Sequence, residues 1–246
     1  MRLSVLVLAL AGLLVACHPP PAREDPFSAD GETIAMSGGR GGAANACFRC
    51  HGLDGAGDKV SVPRLAGLEA GYLQKQLEDY ASQLRPNRAM HEAARWLSAS
   101  DRRAVAAYYS AMPAPPSPAS PVRAPAVWSI GDRARGLVAC AACHGDDGRG
   151  VGSGGPALAG QPHAYTLGQI QAWRSAERRN DPGGLMSSAV ATLTPDEGRA
   201  IAFWLEQQPA FPRPYSDAAR LSGAEAAAAQ LAASRAKRRP GRSGGA

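Results

Sequence analysis

The strongest constraint on this 246-residue chain is that it carries one pattern twice. Cys47, Cys50 and His51 recur as Cys140, Cys143 and His144, an offset of 93 residues. At the same offset Gly52, Gly55 and Gly57 match Gly145, Gly148 and Gly150; Pro63, Leu65, Ala66 and Gly67 match Pro156, Leu158, Ala159 and Gly160; and Tyr72 and Gln76 match Tyr165 and Gln169. After a three-residue insertion the register resumes at offset 96, pairing Met90 with Met186, Leu97 with Leu193, Asp101 with Glu197 and Tyr108 with Trp204. Repetition at a fixed offset marks a duplicated folding unit, and the chain is long enough for each copy to bury its own core.

Residues 113–126 read PAPPSPASPVRAPA. Proline at that density forbids a helix or a central strand and favours extended polyproline II, so this segment is a linker. It separates a first domain, residues 30–112, from a second, residues 127–210. Inside both, apolar residues recur at helical spacing: Leu73, Leu77, Tyr80 and Leu84 in the first, with Ile170 and Trp173 in the places of Leu77 and Tyr80. These stripes are expected to face a core. The last helix of the second domain is announced by Thr194-Pro195-Asp196-Glu197: an N-cap, proline at the first helical position, and a glutamate three residues on. Ile201, Trp204 and Leu205 supply its apolar face. Its counterpart starts near Ser98 to Asp101 and is expected to bury Val105, Tyr108, Tyr109 and Met112. No segment alternates convincingly as a strand would, so the expected fold class is all-α.

The repeated Cys-x-x-Cys-His has a physical logic. On a helical turn, cysteines at i and i+3 share one side, where both can form thioethers to a haem's vinyl groups, while the next residue turns its imidazole toward the iron. This is the form of c-type haem attachment. A thioredoxin-like redox pair would want a βαβ context, and a zinc site would want four ligands drawn from both motifs. Each motif here has its own adjacent histidine and its own domain. Two haem c groups are therefore expected, one on Cys47 and Cys50 and one on Cys140 and Cys143, with His51 and His144 as axial ligands.

For the sixth ligand the repeat nominates Met90 and Met186, which coincide across an insertion although the chain has only five methionines. A thioether opposite histidine stabilises ferrous iron and raises the potential. Met36 and Met112 have no counterparts and are expected to fill cores. His91 is a rival to Met90, but Ser187 stands at its place in the second copy; His163 aligns with Ala70 and is expected at the surface, and His18 lies near the N-terminus. A backbone carbonyl in the Pro63 and Pro156 segments is expected to accept the Nδ1–H of His51 or His144 and orient the ring.

Arg2 precedes an apolar run, residues 3–16, long enough for a signal-peptide core and short for a bilayer span. It ends in Leu14-Val15-Ala16-Cys17, which resembles the bacterial lipobox, where cleavage leaves a lipid-modified cysteine first. Residues 1–16 are then a lipoprotein signal peptide and 17–29 a Pro-rich tether, holding the protein through Cys17 on the periplasmic side of a bacterial membrane. Ala16 suits an ordinary signal peptidase equally, and that cut would leave the protein soluble in the periplasm. With Cys17 set aside, all five cysteines are used and none is left for a disulfide.

The net charge of +6 is unevenly placed. From Arg213 onward seven basic residues face Asp217 and Glu225, and Arg2 adds one more, so residues 17–212 are neutral. The basic balance is therefore a property of the Ala-rich tail, 211–246, which is expected to be mostly disordered, and no nucleic-acid partner is implied.

CHG-x-DG followed by P-x-LAG in both copies, a Tyr-led helix, the run Arg179-Asn180-Asp181-Pro182-Gly183-Gly184-Leu185-Met186, the Met-x-x-x-Ala-x-x-Leu-Ser segment from Met90 and the Tyr108-Tyr109 pair resemble tandem class I cytochrome c domains, closest to the cytochrome c4 group of dihaem proteins. The resemblance covers roughly residues 30 to 210. It implies an all-α fold, His/Met ligation at both haems, and electron transfer between respiratory redox partners, toward a terminal oxidase. The lipobox, the long linker and the basic tail depart from that pattern. Two other roles share these features: a cytochrome subunit of a larger dehydrogenase or oxidase complex, and a dihaem thiosulfate dehydrogenase or peroxidase-type enzyme. The enzyme would need an open axial position, against which methionine at both repeat positions argues.

Overall fold

The structure, a computed structural model, describes residues 30–115, 122–152 and 154–210. The expected leader, the tether with Cys17 and His18, the middle of the linker and the basic tail lie outside the described residues. Within them the backbone is helical, and its one β feature is an isolated antiparallel bridge between Asp132 and Leu137.

The first domain holds α1 (Gly31–Ser37), α2 (Phe48–His51), α3 (Ala70–Ala81), α4 (Arg88–Ala94) and α5 (Ala99–Ala111). Side-chain caps start four of them: Asp30, Glu69 and Asn87 each accept from a backbone N–H three residues on, and Ser98 forms a reciprocal capping box with Asp101. Helices α1 and α3 both pack on α5, and α4 packs on α3. The core between them comprises Ile34, Ala35, Leu68, Leu73, Leu97, Val105, Ala106 and Tyr109, with Met36 and Met112 half-buried against it as gap fillers.

The second domain repeats the plan with α6 (Ala126–Ser129), α7 (Ala141–His144), α8 (His163–Arg174), α9 (Leu185–Ala191) and α10 (Pro195–Glu206). Thr194 and Glu197 form the expected capping box, with Pro195 in the first turn. Helix α10 packs on α8, and Trp128 and Trp204 meet at 4.9 Å between ring centroids in a core completed by Val127, Leu137, Ile170, Val190, Leu193, Ile201 and Leu205.

Two expectations from periodicity need correction. Leu84 is 60% exposed: α3 stops at Ala81, Gln83 takes a left-handed φ of 64°, and the chain turns away before the stripe reaches its fourth member. Tyr108 and Met112 are half-buried, while Tyr109 carries the burial of that face.

The domains meet directly, and the linker ends are pinned to them. Ala114 is buried over Gly67, Ala124 packs on the second core, and the Val122 carbonyl accepts from Trp204 Nε1 at 3.2 Å. The seam itself is polar and nearly twofold. Arg85 stacks on Tyr80 and Arg178 on Trp173, residues that match at the same offset of 93. Each arginine binds its own domain's glutamine, Arg85 to Gln76 at 2.9 Å and Arg178 to Gln169 at 2.7 Å. Each also crosses over: Arg85 reaches Gln169 at 2.6 Å and Tyr165 at 2.9 Å, and Arg178 reaches Gln76 at 3.2 Å. This reciprocity is that of an isologous interface, built within one chain. Two contacts break the symmetry. Arg64 and Gln161 exchange backbone–amide hydrogen bonds at 3.0 and 2.9 Å, and Asn180 donates to Gln76 and Asp79, the latter also paired with Lys75.

Candidate haem sites

Each Cys-x-x-Cys-His is one helical turn. In the first, the Cys47 carbonyl accepts from His51 N at 3.0 Å; in the second, the Cys140 carbonyl accepts from His144 N at 2.9 Å. That turn leaves Cys50 and Cys143 exposed and sinks Cys47 and Cys140 partway toward the core, where burial pushes the Cys47 thiol up to about 11 and raises that of Cys140. Both histidines are buried.

The loop after each motif folds back over its histidine. Gly57 N donates to the His51 carbonyl at 2.9 Å and Gly150 N to that of His144 at 2.7 Å. Both glycines have positive φ, 77° and 81°, and a Cβ there would come within 2.2 Å of the Val62 carbonyl oxygen or 2.5 Å of that of Gly155. Only glycine fits. The return brings the Pro63 carbonyl 2.9 Å from His51 Nδ1 and the Pro156 carbonyl 2.9 Å from His144 Nδ1. A carbonyl only accepts, so Nδ1 carries the proton and the Nε2 lone pair is left for a metal. Burial holds both imidazoles below their ordinary pKa, hence neutral, although the proline carbonyls pull the other way. The expected carbonyl partners are thus present in both copies.

Met90 and Met186 both lie in the first turn of the short helix before the last one, α4 and α9, and are half-buried. Met186 packs against the second core together with Cys140 and Leu158. His91, the rival to Met90, has both ring nitrogens engaged: Nδ1 on the Tyr80 carbonyl at 2.9 Å and Nε2 on Gln83 at 3.1 Å. His163 is half-exposed at the start of α8. Among the described residues no cluster of three or more His, Cys, Asp and Glu could hold a bare metal ion, which leaves the zinc reading of the motifs without its ligands.

The seam supplies a second fit to haem that the motifs alone did not reveal. Arg64, Arg85 and Arg178 are only 3%, 4% and 5% exposed, yet the one buried carboxylate among the described residues, Asp79, already serves Lys75 and Asn180. Burial lowers the Arg64 pKa to about 10, and burial together with Arg85 lowers that of Arg178. Burial raises the Tyr72 phenol, but Arg85 and Arg178 outweigh it and leave its pKa below the ordinary value. Trp173 Nε1 is buried without a hydrogen-bond partner, and a cleft of about 200 Å³, which Glu177 also lines, opens between Arg85 and Arg178. A buried excess of donors and positive charge calls for anions, and the acidic side arms of haem are of that kind. Sequence reasoning missed Arg85, Arg178 and Asn180 because they fall between the last match noted at offset 93, Tyr80 with Trp173, and the resumption at Met90 and Met186. Extending the same offset to Arg85 and Arg178, and to Asn87 and Asn180, would have found them.

Two helical units, each presenting a neutral histidine behind a thiol pair, define a tandem c-type haem protein. The profile of the cytochrome c family matches residues 36–112 and 132–209, and the chain belongs to that family. It is 43% identical to the thiosulfate dehydrogenase electron acceptor of Stutzerimonas stutzeri, over 71% of this chain and 84% of that one. It is 34% identical to cytochrome c4 of Thiocapsa roseopersicina, over 68% and 90%. Among solved structures it superposes on thiosulfate dehydrogenase TsdBA from Marichromatium purpuratum with a TM-score of 0.63 at 40% identity, covering 73% of this chain but only 40% of that one. Reduced cytochrome c4 from Pseudomonas stutzeri gives a TM-score of 0.60 at 30% identity over 66% and 93%. The protein is a cytochrome c4-like electron-transfer protein with two haem c groups rather than an enzyme in its own right.

Proposed function

We propose that this cytochrome takes electrons from a thiosulfate-oxidising dehydrogenase and passes them on through its two haems toward a terminal oxidase, while held by Cys17 on the periplasmic side of a bacterial membrane. The observation that carries the donor is the 43% identity to a thiosulfate dehydrogenase electron acceptor across 84% of its length. The superposition on 40% of the chain of a thiosulfate dehydrogenase, TsdBA, supports the same donor.

In this reading Cys47 and Cys50, and Cys140 and Cys143, would hold the two groups covalently, and His51 with Met90, and His144 with Met186, would be the ligands to the irons. Each haem supplies a one-electron ferric–ferrous couple. The chain's own work is to fix geometry. The Pro63 and Pro156 carbonyls lock the imidazole tautomer, the methionine thioethers favour the ferrous state, and the crossed Arg85–Gln169 and Arg178–Gln76 bonds keep the two sites at constant separation.

The test is anaerobic mixing of the ferric protein with thiosulfate, with and without a thiosulfate dehydrogenase. Reduction of both haems only when the dehydrogenase is present is expected. Reduction by thiosulfate alone would make this chain the enzyme, and no reduction in either mixture would remove the proposed donor. For the anchor, Cys17→Ala is expected to release the protein from membranes into the soluble fraction; unchanged membrane association would contradict the lipid tether.

A further inference from the structure

The two haem sites are built alike as far as the loop that delivers the proline carbonyl, and there they part. In the first domain Asp58 Oδ1 accepts from the backbone N–H groups of Val60, Ser61 and Val62 at 2.8, 2.7 and 2.7 Å, and Oδ2 accepts from Ser61 Oγ at 3.1 Å. One carboxylate thus gathers three successive amides, and the next residue is Pro63, whose carbonyl takes the His51 proton. The turn holds Lys59 at a left-handed φ of 60°, a conformation that an L-residue keeps only when its surroundings impose it. The hydrogen bonds hold the Asp58 carboxyl down to about 2, so it stays ionised.

The second domain has Val151 at the matching position. Its loop closes through the backbone, Val151 N to the Gly155 carbonyl at 2.7 Å, as Asp58 N does more loosely on the Val62 carbonyl at 3.4 Å in the first domain, and a valine side chain has no carboxylate to gather the amides that follow. The histidine-to-proline distance is nonetheless the same in both copies, 2.9 Å. What differs is the carboxylate: in the first copy Asp58 adds its hydrogen bonds to the shared backbone closure, and Val151 has none to add in the second.

We propose that Asp58 is a positioning residue for the first haem alone: its carboxylate fixes the turn that aims the Pro63 carbonyl at His51 Nδ1, and its charge favours the ferric state there. The inference rests on His51 and His144 being the axial ligands. A firmly held acceptor on Nδ1 strengthens the imidazole as a donor, and a nearby anion stabilises the more positive iron, so both effects lower the first potential relative to what the scaffold would otherwise set. Solvent screening weakens the charge effect at this exposed carboxylate, which leaves the anchoring of the turn as the larger part.

The experiment uses the full dihaem protein and three variants, Asp58→Asn, Asp58→Ala and Val151→Asp. Redox titrations are followed by NMR of the haem methyl resonances, assigned to each haem with Met186→Ala. Asp58→Asn keeps an acceptor oxygen and loses the charge; a small upward shift of the first potential is expected, with the second unmoved. Asp58→Ala loses both, and a larger upward shift confined to the first haem is expected, with the His51 Nδ1 proton resonance displaced. Val151→Asp is expected to lower the second potential only. Should Asp58→Ala fail to retain the first haem, Asp58→Asn and Val151→Asp decide the matter. An unmoved first potential in Asp58→Ala, or equal shifts at both haems, overturns the proposal. Retention of the methionine–iron absorption band in the variants shows that the ligand assignment stands and that the failure belongs to Asp58.

Discussion

An imidazole that is to donate from Nε2 must keep its proton on Nδ1, and in this protein a backbone carbonyl enforces that at both sites. Backbone is hard to lose by mutation, so the replaceable parts of the site are the cysteines, the histidines and the methionines. Met186→Ala is expected to abolish His/Met character at the second haem only: the long-wavelength methionine–iron band of the ferric protein should fall to half its intensity. Complete loss, or no loss, would contradict the assignment. The histidine geometry was legible in the sequence, because Cys-x-x-Cys-His carries its own geometry, while the choice of one methionine per copy rests on the repeat. The buried arginines were not. Arg85 and Arg178 match at the offset of the repeat, but only the fold shows that both are buried in one seam.

Among the elements, α10 shows best how local signals become a packed helix. Thr194 caps it, Pro195 starts it, and Glu197 both completes the box and pairs with Arg135, which also holds Asp132 and the Thr192 carbonyl. Thr194→Ala is expected to cost about 1 kcal/mol in denaturant unfolding. The Arg135 and Thr194 hydrogen bonds hold the Glu197 carboxyl below its ordinary 4.5, down to about 2. A depressed folded-state pKa stabilises above the unfolded value, and that contribution is lost as pH falls from about 4.5 through about 2. Glu197→Gln should therefore be less stable than the parent at neutral pH and converge on it in acid; a difference constant from pH 7 to 2 would contradict the pairing. At the same scale, the α3 stripe was read one turn too far, since spacing alone does not show where a helix ends. Gln83, the residue that turns the chain, is neither glycine nor asparagine and gave no stop signal.

Across the whole molecule, the Pro-rich linker is a poor guide to how the domains sit. Its described ends are pinned to the cores, and the domains are joined by a polar interface whose members come from α3, α8, the loops before the two methionines and the segments of Arg64 and Gln161 that precede α3 and α8. Gln76 Oε1 alone accepts from Arg85, Arg178 and Asn180. Gln76→Ala should leave buried donors unpaired and cost about 1–3 kcal/mol. It is also expected to separate one unfolding transition into two, as seen by denaturant titration. A single unshifted transition would mean that the seam contributes nothing to stability. The sequence revealed the two units through their repeat, but a contact between equivalent residues of two copies leaves no mark in either copy taken alone.

The central claim, two closed His/Met haems in an electron carrier, is tested most directly by the ferric absorption spectrum with and without added cyanide. Two haems per chain, methionine–iron band intensity for both, and a spectrum that cyanide changes only slowly are the predicted result. A high-spin haem that binds cyanide or peroxide readily would contradict it.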